Sequence, residues 1–213
     1  MKHYEGRHTD LKNRVNRHLG KLTGKEIDFF SSMKQSDFME LKTVLADINN
    51  VLTLKMTIAA AGWLCEYFNL DKFTKSKISD IVDGTKPNSK GFDICILEPY
   101  KILAEVKCLS PINNGNLFGV AQHDSIMNDA HKLLYGKDTF KQTNDYLKFI
   151  FLIDLGDRTN KAISQLLKET KGTSPTALKY NSIKKDKIEI LNGEFLFNQL
   201  TTEKVYIKKL IVD

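Results

Sequence analysis

Gly91-Phe92-Asp93-Ile94-Cys95-Ile96-Leu97-Glu98-Pro99-Tyr100-Lys101-Ile102-Leu103-Ala104-Glu105-Val106-Lys107-Cys108 is the stretch that decides how this chain is read. Residues 93–97 and 102–108 are apolar enough for strands, and the proline between them suits a turn. Side chains of a strand alternate faces, so Glu105 and Lys107 point one way while Ala104, Val106 and Cys108 point the other. An odd number of loop residues puts Asp93 on the Glu105 and Lys107 face, across from them or one diagonal step away. Cross-strand neighbours then lie roughly 4.5–5.5 Å apart at Cβ, or about 7–8 Å on the diagonal. An even loop puts them on opposite faces.

Charged residues are seldom built into core strands unless something pairs with them. Two carboxylates that converge suit a hard divalent cation. Magnesium takes oxygen ligands and commonly only one or two carboxylates from protein, with a substrate phosphate beside them. Asp93 and Glu105 meet that demand, the backbone carbonyl of Val106 offers a third oxygen, and Mn²⁺ would serve in place of Mg²⁺. Lys107 would orient a water and stabilise negative charge at phosphorus, or act as the general base; the residues leave both roles open. The plainer reading of the same letters is a solvated sheet face on which Glu105 and Lys107 pair with neighbours.

Asp93 followed by Glu105-Val106-Lys107 resembles the signature of the PD-(D/E)XK nuclease superfamily, the restriction-endonuclease-like fold. The resemblance covers residues 53–154, about half of the chain, and Phe92 stands where the pattern's name has proline. It implies a helix, a three-strand antiparallel run carrying the motif, a second helix and a further strand. It also implies a metal-dependent nuclease with Asp93 and Glu105 as ligands and Lys107 as the catalytic lysine.

Residues 53–68 (TLKMTIAAAGWLCEYF) read as the preceding helix, on which Lys55, Ala59, Gly62 and Glu66 form one stripe. In many relatives a glutamate from this helix completes the metal site, which makes Glu66 a candidate auxiliary ligand; otherwise it faces water. Residues 109–118 (LSPINNGNLF) read as a loop, where Asn113, Asn114 and Asn116 would either reach adenine edges or shape the turn. Residues 119–135 follow as a helix buried through Ile126, Met127, Ala130, Leu133 and Leu134, with Gln122 and Asp129 at the stripe's border. A glutamine on this helix approaches the site in several relatives, so Gln122 is a further candidate; a helix cap is the alternative.

Residues 146–155 (YLKFIFLIDL) read as a core strand, 157–171 as a helix and 205–212 as a final strand. Asn192-Gly193 between two apolar runs signals a hairpin over 188–197. Ser36 or Asp37 would cap a helix running to about residue 49. Together these predict an α/β fold, which the resemblance makes a restriction-endonuclease-like mixed sheet flanked by helices, with a basic, helical N-terminal extension over 1–50 and the core over 51–213.

The formal charge of +6 is concentrated at the start. Residues 1–25 hold seven Lys and Arg, including Arg7, Arg14 and Arg17, while Arg158 is the one arginine elsewhere. Guanidinium matches phosphate bidentately, so this segment is a candidate grip on double-stranded DNA. A solubilising terminus is the other reading. A second lysine cluster, residues 168–187, would hold the same polyanion. Three cysteines in apolar segments, no secretory start and no apolar run of about 18 residues predict a cytoplasmic protein without a membrane span. Without a P-loop, no nucleotide cofactor is expected. A short chain that reads and cuts alone, on a palindrome, would be a type II restriction enzyme acting as a homodimer. A repair nuclease, a junction resolvase and a non-catalytic nucleic-acid-binding protein share the same features.

Overall fold

The structure is a computed structural model that describes residues 2–84, 91–113, 115–169, 173–184, 186–193 and 197–212, without the side chains of residues 2–4 and 83. The chain forms two compact units, Met1–Asn49 and Asn50–Asp213.

The first unit contains α1 (Lys2–Thr23), the short α2 (Phe29–Ser32) and the beginning of α3 (Gln35–Tyr67). Asn16 ties α1 to α2: its Oδ1 accepts from the Phe30 N–H at 2.8 Å and its Nδ2 donates to Asp28 at 2.8 Å. Lys12 pairs with the same Asp28 at 2.6 Å, and holds that carboxyl well below the usual range. Phe30 meets His8 edge-on and Phe38 at a tilt, so the apolar contacts of α1 and α3 converge on one ring.

Two helices were expected over 37–49 and 53–68; one continuous helix, α3, is found. No glycine or proline falls between residues 35 and 61 to stop it, and propagation is cheap once a helix has nucleated. It also makes α3 long and apolar enough to cross a membrane by length and composition, the one such helix among the described residues. No uninterrupted apolar run announces it, because Asp47 and Lys55 break the sequence pattern.

In the second unit the order is α4 (Lys72–Gly84), β1 (Ile94–Ile96), β2 (Ile102–Lys107), α5 (Val120–Tyr135), β3 (Leu147–Ile153), α6 (Asp157–Leu166), α7 (Pro175–Lys184), β4 (Ile188–Ile190) and β5 (Val205–Leu210). The strands form one mixed sheet ordered β1-β2-β3-β5-β4. Only β1 runs antiparallel to its neighbour; β2, β3, β5 and β4 are mutually parallel. The fold is therefore α/β with a five-stranded sheet flanked by helices. Among the described residues the motif lies on an antiparallel pair rather than on three antiparallel strands.

One sheet face packs against α3 through Met56, Ala60 and Leu64, which meet Ala104, Val106, Phe149, Phe151 and Tyr206. The other packs against α5, with Ile126, Met127, Ala130 and Leu133 over Leu103, Ile150, Leu152 and Ile207. The helices α4 and α7 were not expected. Asp71 starts α4 by accepting from the N–H groups of Phe73 and Thr74 at 2.9 and 3.0 Å. Ser174 and Pro175 start α7, with the Ala177 N–H donating to Ser174 Oγ at 3.2 Å. At Asn192-Gly193 the chain bends, with Gly193 at φ +73°, but β4 pairs in parallel with β5. Residues 194–196 of the expected hairpin lie outside the described residues, and Phe197–Gln199 is a short 3₁₀ turn.

Candidate functional site

In the hairpin, Ile94 stands opposite Ala104, Cys95 opposite Leu103 and Ile96 opposite Ile102. The connection is residues 97–101, an odd number, and the same register carried one step further sets Asp93 across from Glu105. Asp93, Glu105 and Lys107 thus share the sheet face covered by α5. Asp93 also ties itself to β2, its Oδ2 accepting the Val106 N–H at 2.8 Å. The N–H and C=O of one strand residue point to the same side, so the Val106 carbonyl is directed to this edge as well.

Glu105 is only 6% exposed. Burial, then the charges of Asp93 and Asp129 and a hydrogen bond between the Asp93 and Glu105 carboxyls, pushes its pKa up to about 8, with Lys137 opposing. Lys137 reaches it from the turn after α5, with Nζ 3.1 Å from Glu105 Oε1. The same ammonium donates to the Gly91 carbonyl at 2.6 Å and lies 4.0 Å over the Phe92 ring.

Asp129, from α5, is the third carboxylate and is 4% exposed. Its Oδ1 accepts from Lys132 at 2.9 Å. Its Oδ2 makes an ion pair with Lys107 and has no hydrogen-bond partner among the described residues. The pairing holds the Lys132 ammonium above its usual pKa. Three carboxylates and three lysines therefore meet on one face, where burial makes each charge depend on its neighbours.

Among the described residues no group of three or more His, Cys, Asp or Glu side chains is close enough to hold a metal ion. The groups available to one are the Asp93 and Glu105 pair with the Val106 carbonyl, since Asp129 is drawn to Lys107 and Lys132.

Glu66 does not join them. It is exposed on α3, and α3 covers the opposite sheet face, so the sheet itself lies between Glu66 and Glu105. Of the expected stripe, Lys55, Gly62 and Glu66 face solvent, while Ala59 is partly buried against the core. Gln122 is a structural cap. Its Oε1 accepts the Gly119 N–H at 2.9 Å and its Nε2 donates to the Ser110 carbonyl at 2.8 Å, which occupies both ends of the amide.

Asn113 and Asn116 shape a tight turn in which the Leu117 N–H donates to the Asn113 carbonyl at 3.0 Å and the Asn116 N–H at 3.2 Å, with Gly115 at φ +71°. Asn114 lies outside the described residues. Arg158 clamps this loop, donating to the carbonyls of Gly115 and Pro111 at 2.5 and 3.1 Å. Arg7, Arg14 and Arg17 are exposed on α1, a helix rather than an extended arm. At about 100° per residue they fall, with Lys21, on one side of it, away from Lys12 and Asn16, which hold α2. The second lysine cluster is partly spent internally. Lys184 is buried, with Nζ 2.9 Å from the Lys168 carbonyl and 3.1 Å from His123 Nε2, and Lys171 and Lys185 lie outside the described residues.

Asp129, Lys132 and Lys137 were not singled out as site residues. Asp129 carried a signal, an acid set into the apolar stripe of its helix. Lys137 carried none, because its role depends on where a turn returns to the sheet.

No family model matches the chain, and neither a curated protein nor a solved structure does.

Proposed function

We propose that this protein is a metal-dependent endonuclease of the PD-(D/E)XK kind that hydrolyses DNA phosphodiester bonds. The observation that carries the reading is the odd-loop register that sets Asp93 across from Glu105 with Lys107 on the same face. Two carboxylates and a backbone carbonyl match what Mg²⁺ or Mn²⁺ takes from protein, the remaining positions being left to water and phosphate. Burial first, and then the neighbouring Asp93, raise the Glu105 carboxyl, and a bound cation would offset both. When bound, the ion supplies Lewis-acid polarisation of the scissile phosphate and an acidified water.

This chain's own residues do the rest. The Lys107 ammonium stabilises charge that grows on the phosphate oxygens during attack. Asp129 holds it by an ion pair, a contact that favours this charge-stabilising role over proton abstraction. The exposed arginines of α1, with Lys21, supply cations for the DNA backbone. Within that class we read it as a type II restriction enzyme acting as a homodimer on a palindrome. A repair nuclease or junction resolvase would use the same site.

The deciding experiment is plasmid cleavage by the full chain. Mg²⁺ should support cutting, EDTA should stop it, and Asp93→Ala should bind DNA without cutting. Discrete fragment ends on genomic DNA assign restriction, and scattered ends assign repair. A protein that shifts DNA but never cuts it with Mg²⁺ or Mn²⁺ is a non-catalytic binder, and the proposal is then wrong.

A further inference from the structure

Lys137 has no part in the chemistry just described, yet its position is closely specified. The chain leaves α5 at Gly136, where φ is +86° and an added Cβ would lie 2.8 Å from the Lys141 carbonyl oxygen. Only glycine fits such a turn without strain. Two backbone hydrogen bonds between Lys137 and Phe140, of 3.0 and 2.8 Å, then hold the Lys137 backbone in place. Its side chain, 17% exposed, ends in an ammonium that meets a carboxylate oxygen of Glu105, the carbonyl of Gly91 and the face of Phe92. Phe140 buttresses that ring edge-on at 5.6 Å. Oxygen donors and a π face are what a cation seeks, and a long side chain gives up its freedom to supply the cation here.

Charge explains the arrangement. Lys107 and Lys132 both sit on Asp129, so among the described residues Lys137 is the ammonium paired with Glu105 of the Asp93 and Glu105 pair. We propose that Lys137 is a built-in cation that occupies Glu105 while no divalent ion is bound and competes with that ion for the carboxylate. The inference rests on the reading of Asp93 and Glu105 as a divalent-ion site. An ammonium and a divalent cation on one carboxylate repel each other, so the ion enters as the lysine withdraws to Gly91 and solvent. Lys137 thereby keeps the pair neutralised in the metal-free protein, at a cost in metal affinity.

The test is Mn²⁺ binding to the full chain, measured by titration calorimetry without DNA and with folding checked by circular dichroism. Lys137→Met keeps the stem over Phe92 and removes the charge; Lys137→Gln keeps a donor for Gly91, and is read by the same criterion if the methionine variant does not fold. Lys137→Arg retains the charge. The neutral variants should bind Mn²⁺ at least about tenfold more tightly than wild type, and in EDTA they should melt at lower temperature. Arginine should leave affinity near wild type, and adding Asp93→Asn to Lys137→Met should remove the gain. Binding by the neutral variants alone, with none by wild type, supports the proposal equally. If wild type binds Mn²⁺ and the neutral variants bind it no better, competition is overturned and the divalent site stands. If neither wild type nor the neutral variants bind Mn²⁺, the divalent site and the competition both fall.

Discussion

The two faces of β2 carry opposite chemistry in one six-residue strand. Towards α3 it presents Ala104 and Val106, which join Phe149, Phe151 and Tyr206 in an apolar, aromatic layer. Towards α5 it presents Leu103, Glu105 and Lys107, and the apolar layer gives way to carboxylates and ammonium groups. Strand alternation makes this separation possible: one face can be packed for stability while the other carries buried charge. A substitution on the α3 side should therefore cost stability, and one on the α5 side should cost activity.

The largest effect should come from the charged face. Asp93→Ala, with Oδ2 no longer there to receive the Val106 N–H, is expected to lower the Mg²⁺-dependent cleavage rate at least about a hundredfold. Its unfolding free energy in urea titrations should stay within about 1 kcal/mol of wild type. Cleavage at the wild-type rate would erase the distinction between the faces. On the other side, Phe149→Ala removes a fully buried ring and should cost about 3–5 kcal/mol in urea unfolding. Its cleavage rate, measured where the variant is still folded, should change less than threefold, roughly 0.6 kcal/mol.

Asp129→Ala sharpens the comparison because it leaves two lysines without their carboxylate. Both reach water, Lys107 with 21% and Lys132 with 46% of the side chain exposed, so the stability cost should be about 1–2 kcal/mol rather than that of a sealed ion pair. Cleavage should fall about tenfold, and Asp129→Glu should restore part of it.

The pH dependence of metal-free stability gives a smaller effect. Glu105 titrates near 8 in the folded protein and near 4.5 when unfolded. The unfolded chain therefore loses its proton first, and stability should decline as pH rises from about 4.5 towards 8. Melting temperatures in EDTA should show that decline, Glu105→Gln should flatten it, and a flat wild-type profile would contradict the raised carboxyl. The smallest effect belongs to Gln122→Ala, which removes a helix cap and should cost about 1 kcal/mol of stability while leaving cleavage unchanged. A large loss of cleavage would return Gln122 to the site.

Several features could be read directly from the letters because their causes are local. The apolar runs at 102–107 and 147–153, the helix over 120–135 and the alternation that aligns Glu105 with Lys107 all follow from backbone periodicity. The side taken by Asp93 does not: strands read as 93–97 and 102–108 leave a four-residue loop, and only the end of β1 at Ile96 makes the connection odd. Glu66 and Gln122 each carried two readings, and the letters could not choose between them for a different reason. Periodicity says which residues share a helix face, but not which sheet face the helix will cover, nor which amide will be spent on a cap. The helices α4 and α7 had local start signals in Asp71 and in Ser174-Pro175, weaker than the hydrophobic patterns around them.

Local order in the chain was thus enough to specify the hairpin and to set Glu105 and Lys107 on one face of its second strand, while the pairing register of the folded sheet put Asp93 beside them. Packing alone brought Asp129 to Lys107, and Lys137 to Glu105 across 32 residues of chain. Such meetings depend on how a helix rotates against a sheet and where its closing turn returns. Side-chain volumes throughout the core settle those angles, and no short window of residues contains them.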